Sequence, residues 1–147
     1  MRDDCIAVSL GLPELGIVRQ QELEDRFEVK VIHRRDEVSC PGCGRMTNKE
    51  HDRRQQQKKD RRLRDKSVVL ILIKRRFRCY GCGKVFTEPD EVFGSRKRSS
   101  RRFREYLGQE ALHQTVSRVA RKEGVGEGLV RRCVTEEIGK MLEAKGA

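Results

Sequence analysis

The chain has no tryptophan, three prolines, and only five phenylalanines and two tyrosines in 147 residues. So few aromatics argue against the aromatic-lined pocket of a small-molecule enzyme. Long apolar runs are also missing. The longest, residues 68–73, falls far short of the roughly 20 residues that a membrane-spanning helix needs. The first residues, Met1-Arg2-Asp3-Asp4, are followed by no long apolar stretch. Neither a signal peptide nor a membrane partner is expected, and a reducing cytoplasm is the default compartment. Acidic residues are in deficit, 23 against 34 basic ones, for a net charge of +11. Hydrophobic residues make up 35% and charged ones 39%, which leaves little material for a large core. A chain of this kind forms one ordinary domain or two very small ones and gains from a covalent or metal staple. Its cationic surplus suits a polyanionic partner, although solvated charge runs produce the same balance in many proteins.

The staple is visible in the cysteines. Cys40-Pro41-Gly42-Cys43-Gly44 and Cys79-Tyr80-Gly81-Cys82-Gly83 are two Cys-x-x-Cys-Gly knuckles with 35 residues between the cysteine pairs. Zinc takes four soft ligands in a tetrahedron, and each knuckle offers two sulfurs from one tight turn. Cys40, Cys43, Cys79 and Cys82 are therefore expected to close a structural Zn²⁺ site. Four cysteines leave no position for a catalytic water. A redox dithiol normally occurs once and beside a βαβ unit, which this chain lacks. His51 is a weaker substitute ligand, and His33 and His113 read as ordinary polar residues at element ends. Cys5 and Cys133 stand alone and are expected to be buried or indifferent thiols.

The periodicities predict an α+β fold. Residues 12–33 read as a β-hairpin turning near Glu24 and Asp25, with Phe27, Val29 and Val31 alternating against charges. Residues 46–66 are very polar. Residues 68–73 form a β-branched run expected as the central strand, and Lys84-Val85-Phe86-Thr87 is expected to pair back on it. Pro89 and Asp90 end the sheet region. The serine-flanked basic segment before residue 101 reads as a linker. Beyond it, Phe103, Leu107 and Ala111 predict a helix capped by Ser99 or Ser100. Thr115 caps a second helix with Val116, Val119 and Ala120 inward, ended by Gly124, and a third carries Val130, Val134 and Ile138. The expected organisation is a small antiparallel β zinc ribbon at 10–92, a basic linker at 93–100 and a three-helix helix-turn-helix domain at 101–145.

Two basic runs suit a phosphate backbone. The first contributes Arg53, Arg54, Lys58, Lys59, Arg61, Arg62 and Arg64, and the strand before the second knuckle adds Arg75 and Arg76. The second run contributes Arg96, Lys97, Arg98, Arg101 and Arg102. A solvated loop is the plain alternative for both, and Gln55-Gln56-Gln57 suggests mobility in the first. Residues 115–132 have the rhythm of a helix-turn-helix, which puts Glu127, Arg131 and Arg132 on the exposed start of the third helix.

Together these motifs resemble the N-terminal half of an insertion-sequence transposase of the ISL-three family. The resemblance rests on Leu10-Gly11-Leu12-Pro13, the first knuckle, His51-Asp52-Arg53-Arg54, Arg62-Leu63-Arg64-Asp65 and, most densely, residues 74–88. It implies a zinc ribbon and helix-turn-helix that bind double-stranded DNA at the element's terminal inverted repeats, on the nucleoid in a bacterial cytoplasm. It also implies a homodimer or an association with a full-length transposase. The family's catalytic RNase H-like domain needs several strands that bring carboxylates around metal ions. Past residue 88 only helical signals remain, so no catalysis is expected of this chain. Gly126, Gly128 and Cys133 depart from the family's pattern and weaken the expected base reading. The competing functions are a zinc-ribbon adaptor for protein partners and a stand-alone transcriptional regulator.

Overall fold

The computed structural model describes residues 11–94 and 97–146, so Cys5, Leu10 and Arg96 lie outside the described residues. Strand β1 (Leu15–Glu22) turns at Glu24 and Asp25 into β2 (Arg26–His33). Along β2, Phe27, Val29, Val31 and His33 are buried and the residues between them are half-buried, the alternation that the sequence predicts. Two short strands, β3 (Val38–Ser39) and β4 (Met46–Thr47), flank the first knuckle. The chain then runs through β5 (Glu50–Leu63), β6 (Lys66–Arg78) and β7 (Val85–Thr87).

The expected purely antiparallel ribbon is corrected here. The sheet is mixed, with order β1-β2-β6-β5, and β2 pairs with β6 in parallel. Parallel neighbours need a long crossover, and the first knuckle with the whole of β5 supplies it. The pairing sets Phe27 beside Val68, Val29 beside Leu70 and Val31 beside Leu72, so two apolar stripes share one buried face. The very polar segment is also not a mobile loop. It is β5, an edge strand whose ladder runs along nearly all of β6. A two-residue turn at Arg64 and Asp65, with φ of 51° and 64°, links the two strands, the geometry that matches sheet twist in a tight hairpin.

Strand β6 changes its buried side midway. Val68, Leu70 and Leu72 face a core that includes Val92 and Phe93. From Ile73 the buried residues are Ile73, Arg75 and Phe77, on the opposite face, where Phe77 packs with Val38, Cys40, Cys79 and Phe86. The first face therefore turns from apolar to basic: after Leu72 come Lys74, Arg76 and Arg78, none of them buried. The covered half carries the core, and the uncovered half is cationic.

The connecting segment is docked rather than free over its described residues. The Lys59 amide donates to the Arg98 carbonyl at 2.8 Å, and the Ser100 amide donates to the Lys59 carbonyl at 2.9 Å. Ser100 then caps α1 (Arg101–Glu110), its hydroxyl accepting from the Phe103 amide at 3.2 Å. Thr115 caps α2 (Val116–Glu123), and Gly124, at φ 68°, ends it in the left-handed conformation. Helix α3 (Glu127–Gly146) buries Val130, Cys133 and Glu137. The expected inward set of Val130, Val134 and Ile138 is corrected, since Ile138 is exposed and Val134 is half-buried. The rotation follows from Gly108 on α1. A side chain there would meet the Cys133 carbonyl oxygen at 2.5 Å, so its absence lets α1 approach α3 along the Cys133–Glu137 face.

Candidate metal centre and cationic groove

The two knuckles repeat each other residue by residue. In the first, the Cys40 amide donates to the Arg45 carbonyl at 2.8 Å and the Gly44 amide to the Cys40 carbonyl at 2.9 Å. In the second, Cys79 donates to Lys84 at 2.9 Å and Gly83 to Cys79 at 3.0 Å. Gly44 and Gly83 hold φ of 80° and 76°, which a residue with a Cβ adopts only under strain. The amides of Gly42 and Gly81 lie 3.3 Å from the sulfurs of Cys40 and Cys79. Cys40 and Cys79 are buried against Phe77 and Phe86, while Cys43 and Cys82 are exposed. Thr47 ties the knuckles to the sheet, its hydroxyl donating to the Arg78 carbonyl at 2.6 Å.

The four sulfurs lie within 4.8 Å of one another, with Cys40 and Cys82 at 3.6 Å and Cys43 and Cys79 at 3.4 Å. Tetrahedral zinc, with sulfurs at about 2.3 Å, sets them roughly 3.8 Å apart. The donor set therefore fits one Zn²⁺ in a closed structural site. Amides aimed at sulfur favour the thiolate that zinc requires. The Cys82 amide is the main cause that brings the Cys79 thiol down to about 6, and the Cys43 amide is the main cause that lowers Cys40. A cation crosses from each knuckle to the other: Arg45 lies over Gly81, and Lys84 over Gly42. Those positive charges sit beside a centre whose four thiolates outweigh the metal's charge. Among the described residues, these cysteines are the one group of three or more His, Cys, Asp or Glu side chains that converges in this way. His51 is exposed on β5 and takes no part in that group.

The basic residues expected at a phosphate backbone fall into several environments. Arg75 and Lys58 are corrected out of that set. Arg75 is buried, donates from Nε and Nη2 to the Glu88 carboxylate at 2.9 Å each, and reaches the His33 carbonyl at 3.1 Å. Lys58 is buried over the Phe93 ring and donates to the Lys97 carbonyl, and burial pushes its pKa down. Three others join the sheet to the helices. Arg62 donates to Glu123 at 3.1 Å, Arg102 to Asp60 at 3.0 Å, and Arg61 lies 4.2 Å over the Tyr106 ring. On the surface, Arg53 pairs with Glu50, Arg76 with Asp52 and Arg131 with Glu127.

Arg54, Lys59, Arg64, Lys97, Arg98, Arg101 and Arg132 have no carboxylate partner among the described residues. Most of them converge. One cavity of about 570 Å³ is lined by Lys59, Lys97, Arg98, Arg104, Gly126 and Arg132 among others, with Glu136 its one carboxylate. A second, also about 570 Å³, is lined by Arg54, Gln56, Lys74, Lys97 and Arg98 among others. The two share Lys97 and Arg98 in their walls and so adjoin, making a two-part groove between the basic half of β6 and the start of α3. Lys74 is a groove residue absent from the sequence-based set. Strand alternation was the available signal, because it puts Lys74 and Arg76 on the face opposite Arg75.

The mixed β unit thus carries at one end a four-cysteine site suited to structural zinc. Residues 36–82, from the lead-in to the first knuckle through the fourth cysteine, match the family described as the zinc-finger of transposase IS204/IS1001/IS1096/IS1165. No curated protein and no solved structure matches the chain. No described helix is long and apolar enough to cross a membrane.

Proposed function

We propose that this chain is the DNA-binding region of a transposase, non-catalytic by itself, that holds the terminal inverted repeats of an insertion sequence. The observation that carries the reading is the cationic groove, in which side chains without a carboxylate partner, from the sheet, the connecting segment and α3, line two adjoining cavities. A double-stranded phosphate backbone is the ligand for which such a row releases counterions. Zinc holds the two knuckles together and so sets the direction in which β5 and β6 leave them. Lys74, Lys97, Arg98, Lys59 and Arg54 grip phosphates and supply affinity without sequence choice.

Sequence preference belongs to α2, the turn at Gly124 and α3, read as a helix-turn-helix. That reading is supported by the Thr115 cap, the left-handed Gly124 and the buried Ala120 and Val130. Arg131 and Arg132 are exposed near the start of α3, and Arg132 also lines the groove. In this reading the ribbon at 10–92 and the helices at 101–145 are two units joined at 93–100. The β5 contacts hold them as one binding surface.

The test is selection of bound duplexes from random DNA by the zinc-loaded protein, with the enriched sequence compared against inverted repeats. Enrichment of one motif supports the reading. Recovery of unselected DNA, together with a protein partner that survives nuclease treatment, would favour an adaptor instead.

A further inference from the structure

We propose that Tyr80, at the tip of the second knuckle, is a stacking contact for an unpaired or unstacked base in bound DNA. The inference rests on the DNA-binding reading and names a contact within it. The chain uses its few aromatics sparingly. Phe27, Phe77, Phe86, Phe93 and Phe103 are buried, and Tyr106 is half-buried beneath Arg61. Tyr80 is the one aromatic left in solvent, 64% exposed. It has no packing role that would explain a ring there.

Its surroundings point to the partner's chemistry. The Tyr80 hydroxyl donates to Asn48 Oδ1 at 3.1 Å, which ties the ring to the segment that follows β4. The next residue is Gly81, and across it lies Arg45. Met46, next to Arg45 in sequence on β4, is 51% exposed. Lys84 follows two residues after Cys82, and Arg78 of β6 donates to the Gly83 carbonyl at 3.4 Å. An exposed ring on a knuckle that also carries Arg45, Arg78 and Lys84 matches a ligand with π faces and regular negative charge. The basic face of β6, through Lys74, Arg76 and Arg78, leads from the groove directly into this knuckle. The tip would thus meet DNA already held by the groove, where an apolar side chain acts at a step that is easily opened.

The experiment compares two fluorescein-labelled mixed-sequence duplexes, one fully paired and one with a central unpaired dinucleotide, by anisotropy at low salt with zinc-loaded protein. The wild type is expected to prefer the interrupted duplex about ten-fold, the scale of one stacked base. Tyr80→Ala is expected to lose that preference while keeping its affinity for the paired duplex and one zinc per chain. Tyr80→Phe, which keeps the ring, is expected to retain it. Equal wild-type affinity for the two duplexes, or a preference that survives Tyr80→Ala, would overturn the stacking role and leave the DNA reading intact. Binding of neither duplex would overturn both.

Discussion

Asp60 of β5 accepts a hydrogen bond at 2.6 Å from the hydroxyl of Ser100, the residue that caps α1. One buried carboxylate therefore anchors the start of the helical half to the edge strand of the sheet. It also accepts from Arg102 Nε at 3.0 Å. Asp60→Ala would leave the cap hydroxyl without its acceptor and part of the Arg102 charge without its counter-ion. A loss of about 2–4 kcal/mol in chemical denaturation is expected. Arg64→Ala, at an exposed turn with no carboxylate partner, should change stability by less than about 0.5 kcal/mol. Equal effects of the two substitutions would show that Asp60 does not join the halves.

The three helices depend on a close approach that a single methyl group tests. A Cβ on Gly108 would stand 2.5 Å from the Cys133 carbonyl oxygen, which is backbone and cannot step aside. Gly108→Ala should cost about 3 kcal/mol, at the upper end of overpacking effects. At Gly139, within α3, a Cβ would meet nothing within 4 Å, so Gly139→Ala should stabilise by about 0.5–1 kcal/mol through helix propensity. Thermal unfolding of both variants checks the helix packing, and a neutral Gly108→Ala would contradict it.

Metal retention should depend on pH with a defined sign. Backbone amides hold Cys79 down at about 6, against an ordinary value of 9.0, so its thiolate persists in the fold well below the pH at which a free thiol takes up its proton. A depressed folded value gives stabilisation that is fully present above the ordinary value and is lost as pH falls through the folded one. The neighbouring Cys43, its sulfur 3.4 Å from that of Cys79, is pushed the opposite way, up to about 11, so protons compete with zinc first at Cys43 and last at Cys79, near pH 6. Titration against a chelating dye should show one zinc per chain at neutral pH and progressive loss under more acidic conditions. Retention unchanged by acid, or loss already complete at neutral pH, would contradict this ligand set.

What could be read from the sequence divides along physical lines. The knuckles were legible because zinc imposes a fixed local spacing on cysteine. The β1–β2 hairpin, the Thr115 cap and the Gly124 stop were legible because turns and caps are decided within a few residues. Strand β5 was not, since Glu50–Leu63 is polar and owes its strand conformation to the long ladder of β6. The parallel pairing of β2 with β6 depends on segments separated by the whole first knuckle. Arg75 looked like its neighbours Lys74 and Arg76, and only the placement of Glu88 opposite it shows that it is interior. The rotation of α3 toward Cys133 and Glu137 was set by Gly108 on another helix.

Counterion release measures most directly whether the uncovered basic face holds a phosphate backbone. Each phosphate contact that is lost should flatten the plot of log affinity against log salt by roughly 0.9. Replacing Lys74, Lys97 and Arg98 together with glutamine, in the zinc-loaded protein, should lower the slope for a mixed-sequence duplex by about 3 while zinc content and unfolding midpoint stay at wild-type values. A slope equal to that of the wild type would contradict a DNA-binding groove between β6 and α3.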